Sequence, residues 1–340
     1  MRALYVGIQT PGTTSQLRAQ TLLQLLPSAS WTQIDTDLIF RRSSRLARSM
    51  WFRLKAGPAV TAVNRLVLQQ LEMQTYDVAW IDKGVCLWPS TVRAIRERSS
   101  KMIYYTPDTS FLANRSRHFV ATVSMYDLVV TTKSAEMADF QRRIPTNRLL
   151  LVTQSFDSRL HYPRCSFEQK RNEAVLVGLC EPDRERCVEQ LLSAGISVRV
   201  AGRGWARFLR RHAGHSLLYF EGEAVFGDHY AETLSRAKVG LGLITKRFSE
   251  LHTTRTFEIP ACGTALATER NAETETVFRE SEALFFDSYA DLASKVAQVL
   301  REPSLLQAIT KAGNQRVHSG PYSNERVIRQ VLERAGLEVP

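Results

Sequence analysis

The chain has 340 residues, 44% hydrophobic and 23% charged, which is ordinary globular composition and excludes a disordered chain or a small disulfide scaffold. Two domains are expected at this length. Net charge is +11 and uneven: residues 1–160 carry 21 Lys/Arg against 11 Asp/Glu, and residues 161–340 carry 24 against 23.

The first half is therefore expected to meet an anionic partner, whether nucleic acid, a lipid head group or a phosphorylated acceptor. Cys86, Cys165, Cys180, Cys187 and Cys262 are scattered and form no CxxC. They point to a reducing cytosol rather than to disulfides or a zinc site. The opening MRALYVGIQTPG is too short and too quickly polar for a signal peptide. No run reaches the roughly 18 apolar residues of a membrane span. A cytoplasmic protein is expected, with contact to the inner face of a membrane left open.

In chain order, residues 2–8 predict a strand ending at Gly7. A Pro-Gly-Thr-Thr-Ser turn and a helix with Leu17, Leu22, Leu25 and Leu26 follow. Residues 32–40, 77–81, 102–106, 128–131 and 149–152 predict further strands, with helical patterns between them at 59–73 and 90–98. Residues 154–171 are polar, with few periodic apolar positions. The pattern then restarts. Strands are predicted at 174–178, 197–201, 219–221, 239–244, 265–268 and 284–286. Helices are predicted at 184–194, 229–236, 254–261, 292–300, 304–312 and 324–335. Alternation of this kind means βαβ units and parallel sheets. The expected fold is α/β: two doubly wound, Rossmann-like domains facing across a cleft, with ligand at the carboxyl ends of the strands. The expected boundaries are 1–158, a linker at 159–172, 173–322, and a terminal helix at 323–340 packing back on the first domain.

Residues 250–263 read ELHTTRTFEIPACG, with seven residues between Glu250 and Glu258. Glu258 is expected to open a helix, whose N–H groups favour an anion. Arg255, just before it, can fork two oxygens of a diphosphate. A carboxylate such as Glu258 can accept both hydroxyls of a ribose, and Glu250 can hold sugar hydroxyls. His252 either contacts the same ligand or caps the loop.

Several stretches together resemble a known family: Arg255-Thr-Phe-Glu258, Ala261-Cys-Gly263, Glu275-Thr-Val-Phe278, Leu284-Phe-Phe-Asp287, Asp291-Leu292, Gly313 and Arg326. Residues from about 175 to 330 resemble the C-terminal domain of GT-B glycosyltransferases, closest to the group of the CgeB spore-maturation proteins and the glycosyl transferases group 1 domains. The first half resembles their acceptor domains in rhythm. The resemblance implies a hexosyltransferase-type enzyme of bacterial polysaccharide biosynthesis, with a UDP- or GDP-sugar as co-substrate and no other cofactor. By that resemblance Glu258 holds the ribose, Glu250 the donor sugar, and Arg255 and Lys246 the diphosphate. Gly178, Arg203 in Gly202-Arg203-Gly204, Gly263 and Glu275 line the donor side. Asn271 and Ala272 stand where relatives carry a glycine pair.

On the acceptor side, Gly12 and Thr13 follow the first strand, Asp82 and Lys83 end another, and Asp108 ends a third as a base would. The acceptor is expected to be a hydroxyl of a glycan, lipid-linked molecule or protein. No DxD motif stands in a setting to hold a metal, and stabilisation of the leaving diphosphate by cationic residues makes one unnecessary. The stretch from Arg41 to Lys55, RRSSRLARSMWFRLK, has six basic residues and no acidic one, the pattern of a basic helix lying on an anionic bilayer. Its alternative is a solvated helix packing Leu46, Met50 and Leu54 on the sheet. Three other readings stay open: a nucleotide-sugar epimerase of the same fold, a basic binding protein for nucleic acid or membrane without RNP motif or zinc ligands, and a relative that has lost turnover.

Overall fold

Apolar runs that alternate with amphipathic helices must bury both faces of each strand, and the chain does so twice. The computed structural model describes residues 1–71 and 74–339, in two units: Met1–Thr153 with Asn324–Pro340, and Gln154–Ser323. Unit 1 runs β1 (Arg2–Gly7), α1 (Thr14–Leu25), β2 (Ser30–Asp35), α2 (Asp37–Arg42), α3 (Arg45–Leu54), α4 (Pro58–Leu71), β3 (Tyr76–Asp82), α5 (Pro89–Glu97), β4 (Ser99–Thr106), α6 (Arg117–Thr122), β5 (Leu128–Thr131), α7 (Met137–Gln141) and β6 (Leu149–Leu151). Met73, the expected end of the helix that includes α4, lies outside the described residues. Unit 2 runs β7 (Arg171–Val177), α8 (Pro182–Ser193), β8 (Val198–Ala201), α9 (Ala206–Arg211), β9 (Leu218–Gly222), α10 (Gly227–Ser235), β10 (Ala237–Gly242), α11 (Arg255–Ala261), β11 (Ala265–Glu269), α12 (Ala272–Val277), β12 (Leu284–Phe286), α13 (Tyr289–Arg301) and α14 (Pro303–Ser319). Helix α15 (Asn324–Arg334) belongs to unit 1 again.

Each unit holds a six-stranded parallel sheet. Unit 1 has the order β2-β1-β3-β4-β5-β6, and unit 2 the order β12-β11-β10-β7-β8-β9. Both are doubly wound, and unit 2 has the strand order of dinucleotide-binding sheets. One face of the unit 1 sheet is covered by Val63, Val67, Phe119 and Phe140, and the other by Leu22 with Val327, Val331 and Leu332 of α15. Among the described residues no helix is long and apolar enough to cross a membrane.

Four sequence expectations are corrected. The strand expected over 32–40 stops at Asp35, whose Oδ1 accepts the N–H of Asp37 at 2.9 Å and of Gln9 at 3.1 Å. An aspartate that turns the chain on itself ends a strand. The basic stretch from Arg41 is not one helix: Ser43 is extended, and Ser44 caps α3 by accepting the Ala47 N–H at 3.3 Å. The polar residues 159–172, expected as a linker, are integral to unit 2, where buried Lys170 donates to the Ser235 carbonyl and lies 3.4 Å from Thr264 Oγ1. Glu258 does not open its helix; Arg255 is the first residue of α11 and Glu258 the fourth. The short helices α6, α7, α9 and α12 span too few turns to show a period in sequence.

Under the β1–β3 reversal lies a buried ion pair. Arg18 Nε donates to Asp82 Oδ2 at 2.8 Å and Nη2 to Oδ1 at 3.0 Å, with the Ser15 hydroxyl on Oδ1 at 2.8 Å. Burial alone would lower the Arg18 pKa; Asp82 outweighs it and keeps the guanidinium charged. Asp82→Ala leaves that charge buried and unpaired, so urea unfolding should show a loss of about 3–5 kcal/mol. A loss below about 1 kcal/mol would show that water or another partner reaches Arg18.

Candidate functional site

In a doubly wound sheet, ligands bind outside the carboxyl ends of the strands where strand order reverses. In unit 2 that point lies between β7 and β10. Strand β7 runs into Gly178, β10 into Leu243, and Arg184 of α8 reaches both: Nη1 donates to Leu179 O at 2.8 Å, and Nη2 lies 3.5 Å from Leu243 O. A Cβ on Gly178 would stand 2.6 Å from Arg184 Nη1, so glycine is what lets the guanidinium lie over the strand end. Gly202, at φ +118, approaches closer still, and a Cβ there would meet Gly178 O at 2.3 Å.

Arg184 is buried, and its pKa is lowered by burial and then by a second cation, Arg255. Two guanidiniums thus share one small site. The Nε of each is buried without a hydrogen-bond partner among the described residues. A buried donor without a partner and a like-charge neighbour both cost free energy, and an anion bound there would relieve both.

Glu258 lies buried beside them. Its Oε2 accepts the Tyr230 hydroxyl at 2.5 Å, and its Oε1 stands 3.9 Å from His161 Nε2. His161 Nδ1 accepts the Asp157 N–H at 3.0 Å, which directs any ring proton to Nε2, toward Glu258. Burial, then the charge of Glu258, raises the Tyr230 pKa well above its usual range, so the phenol keeps its proton and donates. Arg255 acts on Tyr230 in the opposite sense, which places the carboxylate, the phenol and the guanidinium in one cluster.

The remaining expected donor-side residues are dispersed. Lys246 is exposed and paired with Glu269. Arg203 is exposed. Glu275 is exposed and pairs with Arg270 at 3.0 Å. Gly263, at φ +69, closes the far end of α11 against Pro163. Glu250 sits in the loop before α11, its N–H on Phe248 O at 2.8 Å. His252 is fixed at both ring nitrogens, Nε2 accepting the Gln154 N–H at 3.0 Å and Nδ1 2.5 Å from Glu273 Oε2. It fastens the loop, the second of its two expected roles. Asn271 caps α12 through a capping box. Sequence reading missed Arg184, Tyr230 and His161. Of these only Arg184, in the first turn after the Gly178 loop, carried a signal.

Unit 1 has its own reversal between β1 and β3. There lies a cavity of about 340 Å³ with Val6, Ile8, Lys83 and Asp108 in its wall. Lys83 has φ +57, rare for a residue with a Cβ, and its Nζ pairs with Asp108 at 2.8 Å. Asn114 Nδ2 donates to the same carboxylate oxygen at 3.0 Å. Burial would raise the Asp108 pKa, but Lys83 prevails and holds it below the usual carboxylate range. Buried Glu136 accepts the N–H groups of Ser110 and Phe111 at 2.7 and 2.8 Å and so fixes the loop after Asp108. Thr13 caps α1: it accepts the Gln16 N–H at 3.3 Å and donates to Thr10 O at 2.8 Å, beside Gly12 at φ +78. Among the described residues no group of three or more His, Cys, Asp or Glu is placed to hold a metal ion.

Two Rossmann-like units, each with its site at a strand-order reversal, define the GT-B fold, and the chain shares it with solved glycosyltransferase structures. Residues 184–333 match the model of the glycosyl transferase-like family. Sucrose-phosphate synthase from Thermosynechococcus elongatus superposes with a TM-score of 0.65 at 14% identity, over 98% of each chain. Anabaena Alr3699/HepE, solved in complex with UDP and glucose, gives 0.64 at 12% identity, over 99% of each chain. TarM gives 0.59 at 11% identity, covering 80% of this chain, which spans 58% of the TarM chain. No curated protein matches in sequence.

Lys83→Met removes the main cause that lowers Asp108. Carboxyl-carbon NMR should show Asp108 titrating at higher pH than in the wild type. With a depressed folded pKa, the ion pair contributes stability above the unfolded value of about 3.9 and loses it as pH falls through the folded pKa. That acid-side loss should shrink in the variant. An unchanged Asp108 titration would remove Lys83 as the cause.

Proposed function

We propose that this chain transfers a sugar from a nucleoside-diphosphate sugar to an acceptor hydroxyl. The observation that carries the reading is buried Arg184 with half-buried Arg255, the Nε–H of each making no hydrogen bond among the described residues and Arg184 Nε 3.8 Å from Glu181, beside the buried carboxylate of Glu258 at the reversal of a dinucleotide-type sheet. A diphosphate carries the charge that two guanidiniums want and offers paired oxygens to forked donors. Glu258 Oε1 is the acceptor for ribose hydroxyls, while Tyr230 holds Oε2 and so sets the carboxylate plane. HepE holds UDP, which makes UDP-sugars the first donors to test, with GDP-sugars next.

In the reaction, a bond forms between the acceptor oxygen and the anomeric carbon. The bond from that carbon to the diphosphate breaks, and the acceptor proton is released. Negative charge grows on the leaving diphosphate, and Arg184 and Arg255 are placed to stabilise it there. They supply the positive charge locally, so turnover is proposed to be independent of a metal and to survive a chelator. Lys246, on this reading, is free to act only after parting from Glu269. Asp108, kept ionised by Lys83, suits orienting an acceptor hydroxyl better than taking its proton, because a lowered pKa makes a weak base. Glu250 remains the proposed contact to the donor sugar.

A thermal-shift screen against UDP, GDP, ADP, CMP and dTDP tests the reading. Nucleotide at a hundred times its dissociation constant should add about 2.7 kcal/mol. Arg184→Ala and Glu258→Ala should each weaken binding about tenfold or more, as expected for hydrogen bonds to charged groups. A folded protein that responds to none of the five would overturn the proposal.

A further inference from the structure

Helix α3 lies beside the unit 1 cavity and exposes what a soluble helix usually hides. Leu46 is 73% exposed, Phe52 66% and Leu54 59%, and no residue of α3 is buried. Around them stand Arg42, Arg45, Arg48 and Arg53, none with an ion-pair partner among the described residues. Exposed apolar side chains set among unpaired arginines complement an anionic bilayer surface.

The same helix also forms the cavity wall. Trp51 and Phe52 line it with Phe40, their rings packed edge to face on Phe40 at 5.4 and 5.7 Å. Aliphatic side chains, Val63, Val85 and Leu87 among them, complete that end. Of the polar lining groups, Asp108, Lys83 and Asn114 meet in one cluster, while Asp37 and Lys55 also line the cavity, Lys55 Nζ 5.6 Å from the centre of the Phe52 ring. About 340 Å³ of mainly apolar space with a few convergent polar groups is the make-up of a small-molecule site. A free sugar would leave its hydroxyls unpaired against those walls.

Resting on the transferase reading above, we propose that the acceptor is an amphipathic alcohol carried by an anionic membrane. Its hydrocarbon part enters the α3 cavity, and its hydroxyl meets Asp108 and Asn114, while Leu46, Phe52 and Leu54 seat α3 in the bilayer. The basic excess of the first half then serves to hold the protein on the surface that bears its substrate.

Two measurements test this. In co-sedimentation, the protein should pellet with phosphatidylcholine vesicles containing phosphatidylglycerol and not with phosphatidylcholine alone. Leu46→Glu/Phe52→Glu, both at exposed positions, should weaken that partition about tenfold or more. In solution, 1-decanol should change the tryptophan emission of the wild type but not of Trp51→Phe. Val85→Phe, which fills the cavity, should weaken decanol binding about tenfold or more. Thermal melting verifies that each variant is folded. Failure to pellet with the anionic vesicles, or equal pelleting by the double variant, overturns the membrane source. An unchanged emission with decanol, or a Val85→Phe protein that binds it as well as wild type, overturns the apolar pocket. UDP binding, read separately at Glu258, should persist in every variant. Its absence throughout would count against the donor reading alone and leave a lipid-binding cavity standing.

Discussion

Right-handed crossovers lay successive helices on one face of a parallel sheet, and the chain can cover the other face only by reversing its strand order. At the reversal, adjacent strands send their following loops to opposite faces, and a gap opens at the carboxyl ends. Both candidate sites in this protein are built on that constraint. In unit 1 the gap falls between β1 and β3, and in unit 2 between β7 and β10. The surrounding sheet is closely packed, so whatever the gap lacks in backbone must be filled by side chains or by ligand.

The two gaps are filled in opposite ways. In unit 2 a guanidinium from α8 lies over a glycine strand end, and a second one comes from α11, each with an Nε that makes no hydrogen bond among the described residues. In unit 1, Arg18 faces Asp82 below the gap, and the pair is closed on itself. The space above is left to aromatic and aliphatic walls, with Lys83 and Asp108 neutralising each other. One geometry thus yields a gap lined by two guanidiniums in unit 2 and a gap with mainly apolar walls in unit 1. The difference lies in how closely a carboxylate holds the buried arginine: Asp82 is 2.8 Å from Arg18 Nε, and Glu181 is 3.8 Å from Arg184 Nε.

Neighbouring groups fix the carboxylates of both candidate sites. Tyr230 holds Glu258, and Glu136 holds the loop that carries Asp108 through two backbone N–H groups. Such bonds hold a carboxylate in one orientation before a ligand arrives, which lowers the ordering cost of binding. The left-handed backbone at Lys83 belongs to the same pattern, since its Nζ pairs with Asp108 from a strained position at a strand end.

Periodicity was enough to predict the parallel strands, most of the long helices and the restart of the pattern, because burial on both faces of a sheet imposes apolar runs that no distant contact alters. The stretch from Arg255 to Gly263 and the glycine at 178 were legible for a similar reason: their chemistry is local. The partners of those residues were not. Arg184 meets Arg255 from 71 positions away, and His161 approaches Glu258 from within a polar stretch that reads as a linker. Lys246 and Glu275 carry the right charge, yet the fold gives each a nearby surface partner, Glu269 and Arg270. Side-chain type and local period thus set the elements and the candidate charges. Which charges stand unpaired inside a site, and which are neutralised at the surface, was decided only when the sheets brought distant residues within a few ångströms, because electrostatic and hydrogen-bond partners are chosen by distance in space and not along the chain.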